Sequence, residues 1–178
     1  YQQSVDNYNE TLEATLDNKL AVAKAALDAA NRVLTDDDAE KVLSMQNSSI
    51  LIQATASYTT AVNSLTLADH DLAAYKLGAK TINQTYSSSL AALNKIFVNL
   101  NNCFSALENS VTSSDFSQTD LDGFKTSIST QITNVATAIT VAQTAKQNLN
   151  GATLAYDTNI SANSASLAQA RASLSDAV

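Results

Sequence analysis

The chain has 178 residues, no proline and three glycines, with ten basic against seventeen acidic side chains for a net charge of −7. Such scarcity of proline and glycine fits one all-helical domain. No alternating Val/Ile/Tyr/Phe run sits between turn clusters to serve as a strand. An acidic chain without basic clusters makes a poor binder of nucleic acid or anionic membrane surfaces, and no stretch nears the roughly 18 apolar residues of a bilayer span.

Residues 1–40 hold most of the charge imbalance, with nine acidic and three basic side chains. The first helix is expected over about 5–34, with Val5, Tyr8, Leu12, Leu16, Leu20, Ala23, Leu27, Ala30 and Leu34 on one face. Thr35 and Asp36–Asp38 read as a turn whose side chains cap the next helix. That helix is short, at 39–45, and a soft point at 46–49 comes after it. The absence of a starting Met makes Tyr1 read as a processed or engineered start.

The second long helix is expected over about 49–111. Leu65, Leu72, Ala79, Tyr86, Leu93, Leu100 and Leu107 recur every seventh residue, and Ala61, Ala68, Tyr75, Ile82, Ile96 and Cys103 form an offset series broken by Ser89 and Ser110. A sustained seven-residue period marks a coiled-coil seam. Gly78 leaves the phase unshifted, so it reads as a tolerated weak spot inside the helix. Residues 112–118 form the clearest loop, and Thr119 reads as the cap of a last helix over about 120–177. That helix keeps phase through Leu121, Ile128, Val135, Ala142, Leu149 and Tyr156, with Ile132, Ile139, Ile160, Leu167 and Leu174 offset. Asn148 to Gly151 resembles a helix end, but the unbroken register predicts that Gly151 stays helical.

These elements define an all-α fold. Long antiparallel helices form a coiled-coil hairpin with a shorter third helix packed on it, in a single elongated helical domain spanning 1–178.

Catalytic, cofactor-binding and metal-ligating residues are all expected to be absent. His70, the only histidine, lies between seam positions and reads as an exposed spectator. Cys103, the only cysteine, sits on the seam and reads as a buried small hydrophobe. Asp36, Asp37, Asp38 and Glu40 lack the spacing of a calcium loop. Tyr8, Tyr58, Tyr75, Tyr86 and Tyr156 fall on seams and read as core. The sequons at Asn9, Asn47, Asn83 and Asn159 are accounted for by the abundance of Asn, Ser and Thr.

Three stretches carry a family likeness. They run from Leu121 to Ile139, from Asn163 to Leu174, and from Tyr8 through Leu12 into alanine-rich turns. Together they resemble the helical hairpin of HlyD/AcrA-type periplasmic adaptors, the membrane fusion proteins. That resemblance implies a cell-envelope protein that links an exporter to other envelope components through a rod-like spacer, and one that can self-assemble. The arginine–leucine–serine tip motif of such adaptors has no match here, Arg32 and Arg171 being the only arginines.

The expected function is therefore a non-enzymatic helical spacer and docking element. Its partners would be proteins engaged through helix–helix contacts, with no nucleic acid, no membrane insertion and no cofactor. Surfaces of Ser, Thr, Asn and Gln in place of Glu and Lys point to an extracytoplasmic location. The alternatives are an extracytoplasmic four-helix-bundle sensory domain that binds a ligand, or an amphipathic lipid-carrying bundle.

Overall fold

A computed structural model describes residues 1–176, and among them every regular element is helical. In chain order these are α1 (Gln2–Thr35), α2 (Asp37–Glu40), α3 (Ser48–Lys76), α4 (Ile82–Glu108) and α5 (Gln118–Asp176). Residue 177, the expected end of the last helix, lies outside the described residues.

Cross-links between helices give their directions. Lys24 pairs with Asp69 and Lys76 with Asp17, so α1 and α3 are antiparallel. Asn99 donates to the Ala54 carbonyl at one end of the α3–α4 pair, and Thr85 donates to the Asp71 carbonyl at the other. The end of α1 meets the start of α5, and Leu12 and Leu16 pack on Ala142, Ala145 and Leu149. The four long helices thus form an up-down-up-down bundle. Helices α1 and α4 each touch both α3 and α5, which occupy opposite corners.

The expected single helix over 49–111 is corrected to two helices folded back on each other. Gly78 has φ +75°, the left-handed region that suits glycine. Its N–H donates to the Tyr75 carbonyl and that of Ala79 donates to the Ala74 carbonyl, which closes α3 with a Schellman motif. Thr81 then opens α4 with a capping box: its hydroxyl accepts from the Gln84 N–H, and the Gln84 side chain accepts from the Thr81 N–H. The seven-residue phase survives only because a five-residue turn happens to preserve it, and Ala79, inside the expected seam, is exposed. The two matched arms of about sixty residues expected of a coiled-coil hairpin are therefore not what forms.

The short helix expected at 39–45 shrinks to α2. Asp36 caps it as anticipated, accepting from the N–H groups of Asp38 and Ala39. Beyond it, Val42 and Leu43 plug the end of the bundle. This segment is stitched to the α4 exit, where Val111 N–H donates to the Val42 carbonyl and Ser44 N–H to the Ser110 hydroxyl. Ser110, a break in the seam, is thus a buried acceptor. The last helix starts slightly early: Ser117, not Thr119, caps it, with reciprocal bonds to Asp120. Val33 takes the buried place expected for Leu34.

Helix α4 buries more than two seam lines, because it faces three neighbours. Thr85, Ala92, Asn99 and Ala106 form a third seven-residue series, all fully buried. Helix α5 runs unbroken through Gly151, as the register required. From Ser161 to Asp176 every residue is exposed, so this stretch is a bare arm of roughly 25 Å at 1.5 Å per residue. Many surface hydroxyls bond back to the carbonyl four residues earlier, as in Thr66 to Val62, Thr137 to Thr133 and Ser164 to Ile160.

A Cβ at Gly78 or Gly151 would meet nothing within 4 Å, so only backbone preference distinguishes the two positions. Gly78→Ala is expected to destabilise the protein by about 1 kcal/mol because of its positive φ. Gly151→Ala is expected to stabilise it by about 0.5–1 kcal/mol through helix propensity. Urea denaturation midpoints check the opposite signs.

Candidate functional site

Four places gather polar, reactive or exposed apolar groups. The first is the α3–α4 turn. Asp71 comes directly after His70 on the last turns of α3 and is rotated inward, with 4% of its surface exposed. The Lys80 ammonium, delivered by the Gly78 turn, donates to its carboxylate. Burial acts to raise the Asp71 carboxyl, but the Lys80 ammonium bonded to it, with Ser88 and His70 close by, outweighs that and holds the group below the usual carboxylate range. The His70 ring is 75% exposed, with Nδ1 3.6 Å from that carboxylate. His70 thus stands outside, as expected. Asp71 escapes a reading by periodicity, since its neighbour Leu72 carries the seam.

The second place is a polar layer within the core. Asn99 Nδ2 donates to the Ala54 carbonyl and to the Ser57 hydroxyl, which Asn102 also reaches. Asn99 Oδ1 and the Ser89 hydroxyl are buried without a partner. Cys103, one turn along from Asn99, is fully buried, and burial pushes its thiol up to about 12. With so little thiolate it is a packing group. Tyr58 and Tyr86 lie half-buried against the core. Tyr75 and Tyr156 are also half-buried, whereas Tyr8 is more exposed than its seam position implies.

The third is a cavity of about 500 Å³ at the α2 end, lined by Asp36, Asp38, Asp115, Asp120, Phe116 and Phe124 among others. Its carboxylates already have structural work. Asp36 caps α2, Asp38 pairs with Lys41 at 3.2 Å, and Asp120 is kept below its ordinary range by hydrogen bonds from Ser117. Phe116 is buried, with its ring centroid 5.8 Å from that of Phe124. Among the described residues no group of three or more His, Cys, Asp or Glu side chains is placed to hold a metal ion.

The fourth is the bare arm of α5. Ile160, Leu167 and Leu174 repeat every seven residues and are 49%, 54% and 68% exposed. They extend a face that earlier in the helix is packed, through Ile132 and Ile139. No described helix is long and apolar enough to cross a membrane. No family model, curated protein or solved structure matches the chain.

The buried groups generate two expected outcomes. Cys103 is expected to react with thiol reagents only as fast as the protein opens, and Cys103→Ser to cost about 1–3 kcal/mol for burying a poorly satisfied hydroxyl. Asp71 has a lowered folded pKa, so its contribution is full above the unfolded carboxylate range and lost as pH falls through the folded value. Stability curves of the wild type and Asp71→Asn should therefore diverge near neutrality and converge between about pH 5 and pH 2.

Proposed function

We propose that this chain is a non-enzymatic spacer and docking element of the cell envelope. In this reading a helical bundle is carried on a projecting helix and engages protein partners outside the cytoplasm. The observation that carries the reading is α5, a single 59-residue helix whose last part leaves the bundle with its apolar stripe still in phase. A helix of that length is roughly 88 Å long, and nothing in a self-sufficient bundle requires the excess. The hydroxyl- and amide-rich faces, the antiparallel α1–α5 pair and the likeness to HlyD/AcrA-type adaptors support a place beside an exporter complex. The four-helix arrangement departs from the simple two-arm hairpin of that family.

A sensory bundle is the second reading, favoured by the up-and-down topology and by the acidic, phenylalanine-lined cavity at the α2 end, whose chemistry suits a small organic cation.

Length separates the two. Deleting residues 160–166 removes one heptad, about 10 Å of arm, without altering phase or touching the bundle. The spacer reading expects an unchanged melting curve and fewer complexes containing both a partner cross-linked from Leu77, on the exposed hairpin turn, and a component held beyond the arm. A small cation that raises the Tm by several degrees, with full bridging by the deletion variant, would establish the sensor instead.

A further inference from the structure

We propose that the bare arm of α5 pairs antiparallel with the same arm of a second copy, giving a two-fold dimer with a bundle at each outer end. The stripe of Ile160, Leu167 and Leu174 continues, in the same seven-residue phase, the edge of α5 on which Ile132 and Ile139 pack against the core. What covers it is therefore another helix, laid along the arm as neighbouring helices are laid along the first part of α5. The pattern beside the stripe is built for itself. Three residues beyond each stripe position stand, in register, Asn163 and Ala170, with Tyr156 before them. In an antiparallel pair these positions face the stripe of the other helix. Centred near Ala165, the pairing sets Ile160 against Ala170 and Leu174 against Tyr156, large beside small or flat, with Asn163 beside Leu167.

Charge selects the partner and its direction. Asp157 and Arg171 are the only charged residues between Lys146 and Asp176. They stand two heptads apart, hence at the same heptad position. Both are exposed, and neither enters an ion pair among the described residues. Antiparallel coiled coils bring this flanking position against its own kind. In this register Arg171 lies within about two residues' rise, roughly 3 Å, of Asp157 on the second copy, and the two-fold repeats the pair. A parallel dimer would instead set this position against the opposite flank, where Ala152 and Ser166 give neither charge a partner.

This goes beyond the spacer reading, because it concerns the protein by itself. A monomer leaves a spacer possible, and a dimer that bridges nothing would sink the spacer alone. The test is sedimentation equilibrium of the purified chain over a concentration series, with circular dichroism to confirm an intact bundle in each variant. A monomer–dimer equilibrium is expected. Leu167→Lys should abolish it. Arg171→Asp and Asp157→Arg should each weaken it by about tenfold, as two attractive pairs become two repulsive ones. The double variant Asp157→Arg/Arg171→Asp should restore wild-type dimerisation. A chain that stays monomeric at all concentrations, one that forms larger oligomers, or a double variant no tighter than the singles would overturn the proposal.

Discussion

The reversal at Gly78 governs the rest of this molecule. Had the chain continued in a right-handed helix there, residues 48–108 would make one rod, and α5 would be covered along most of its length. One left-handed residue, closed by a Schellman motif and succeeded by a capping box, turns that rod into two helices of 29 and 27 residues. The turn also brings Lys80 over Asp71, so the carboxylate that faces inward at the end of α3 acquires its counter-ion from the turn itself. Folding back doubles the thickness of the bundle and halves its reach. The length that α3 and α4 give up is what leaves α5 projecting.

Much of this is legible in the sequence, and the parts that are not have physical causes. The all-helical class, the α5 register through Gly151 and the burial of Cys103 come from period and composition. The break at Gly78 is signalled by Lys76-Leu77-Gly78-Ala79-Lys80-Thr81, with a terminal glycine and a hydroxyl three residues ahead of Gln84. Those local signals lose to the seven-residue phase, because Leu72, Ala79 and Tyr86 keep their spacing across a turn of just the length that conserves it. Periodicity reports which residues share a face, and cannot tell a straight helix from two that meet at a commensurate turn.

The buried polar groups are hidden for a different reason. Thr85, Ala92, Asn99 and Ala106 make a line of small and polar residues, which reads as a surface stripe when a helix is assumed to face one partner. Helix α4 faces three. Its amide and hydroxyls therefore lie inside, with Asn99 holding Ala54 and Ser57 while its own carbonyl oxygen goes unmatched. An orphaned acceptor in a core costs stability, and slipping α4 past α3 by one turn would also strand the Asn99 donors. The layer thus sets the stagger of the two helices at some expense to their cohesion.

The hydroxyls that bond back to carbonyls of their own helix, from Thr11 on α1 to Ser166 on α5, have a consequence for how the protein behaves among neighbours. Each such donor is already spent within its own helix turn. What remains outward is a coat of methyl and methylene groups dotted with hydroxyl oxygens that can only accept, thin in fixed charge along α5 and carrying no histidine there. A coat of that kind neither titrates near neutrality nor responds strongly to ionic strength. Along α5, then, a change of acidity near neutrality or of salt alters little of what the flank presents.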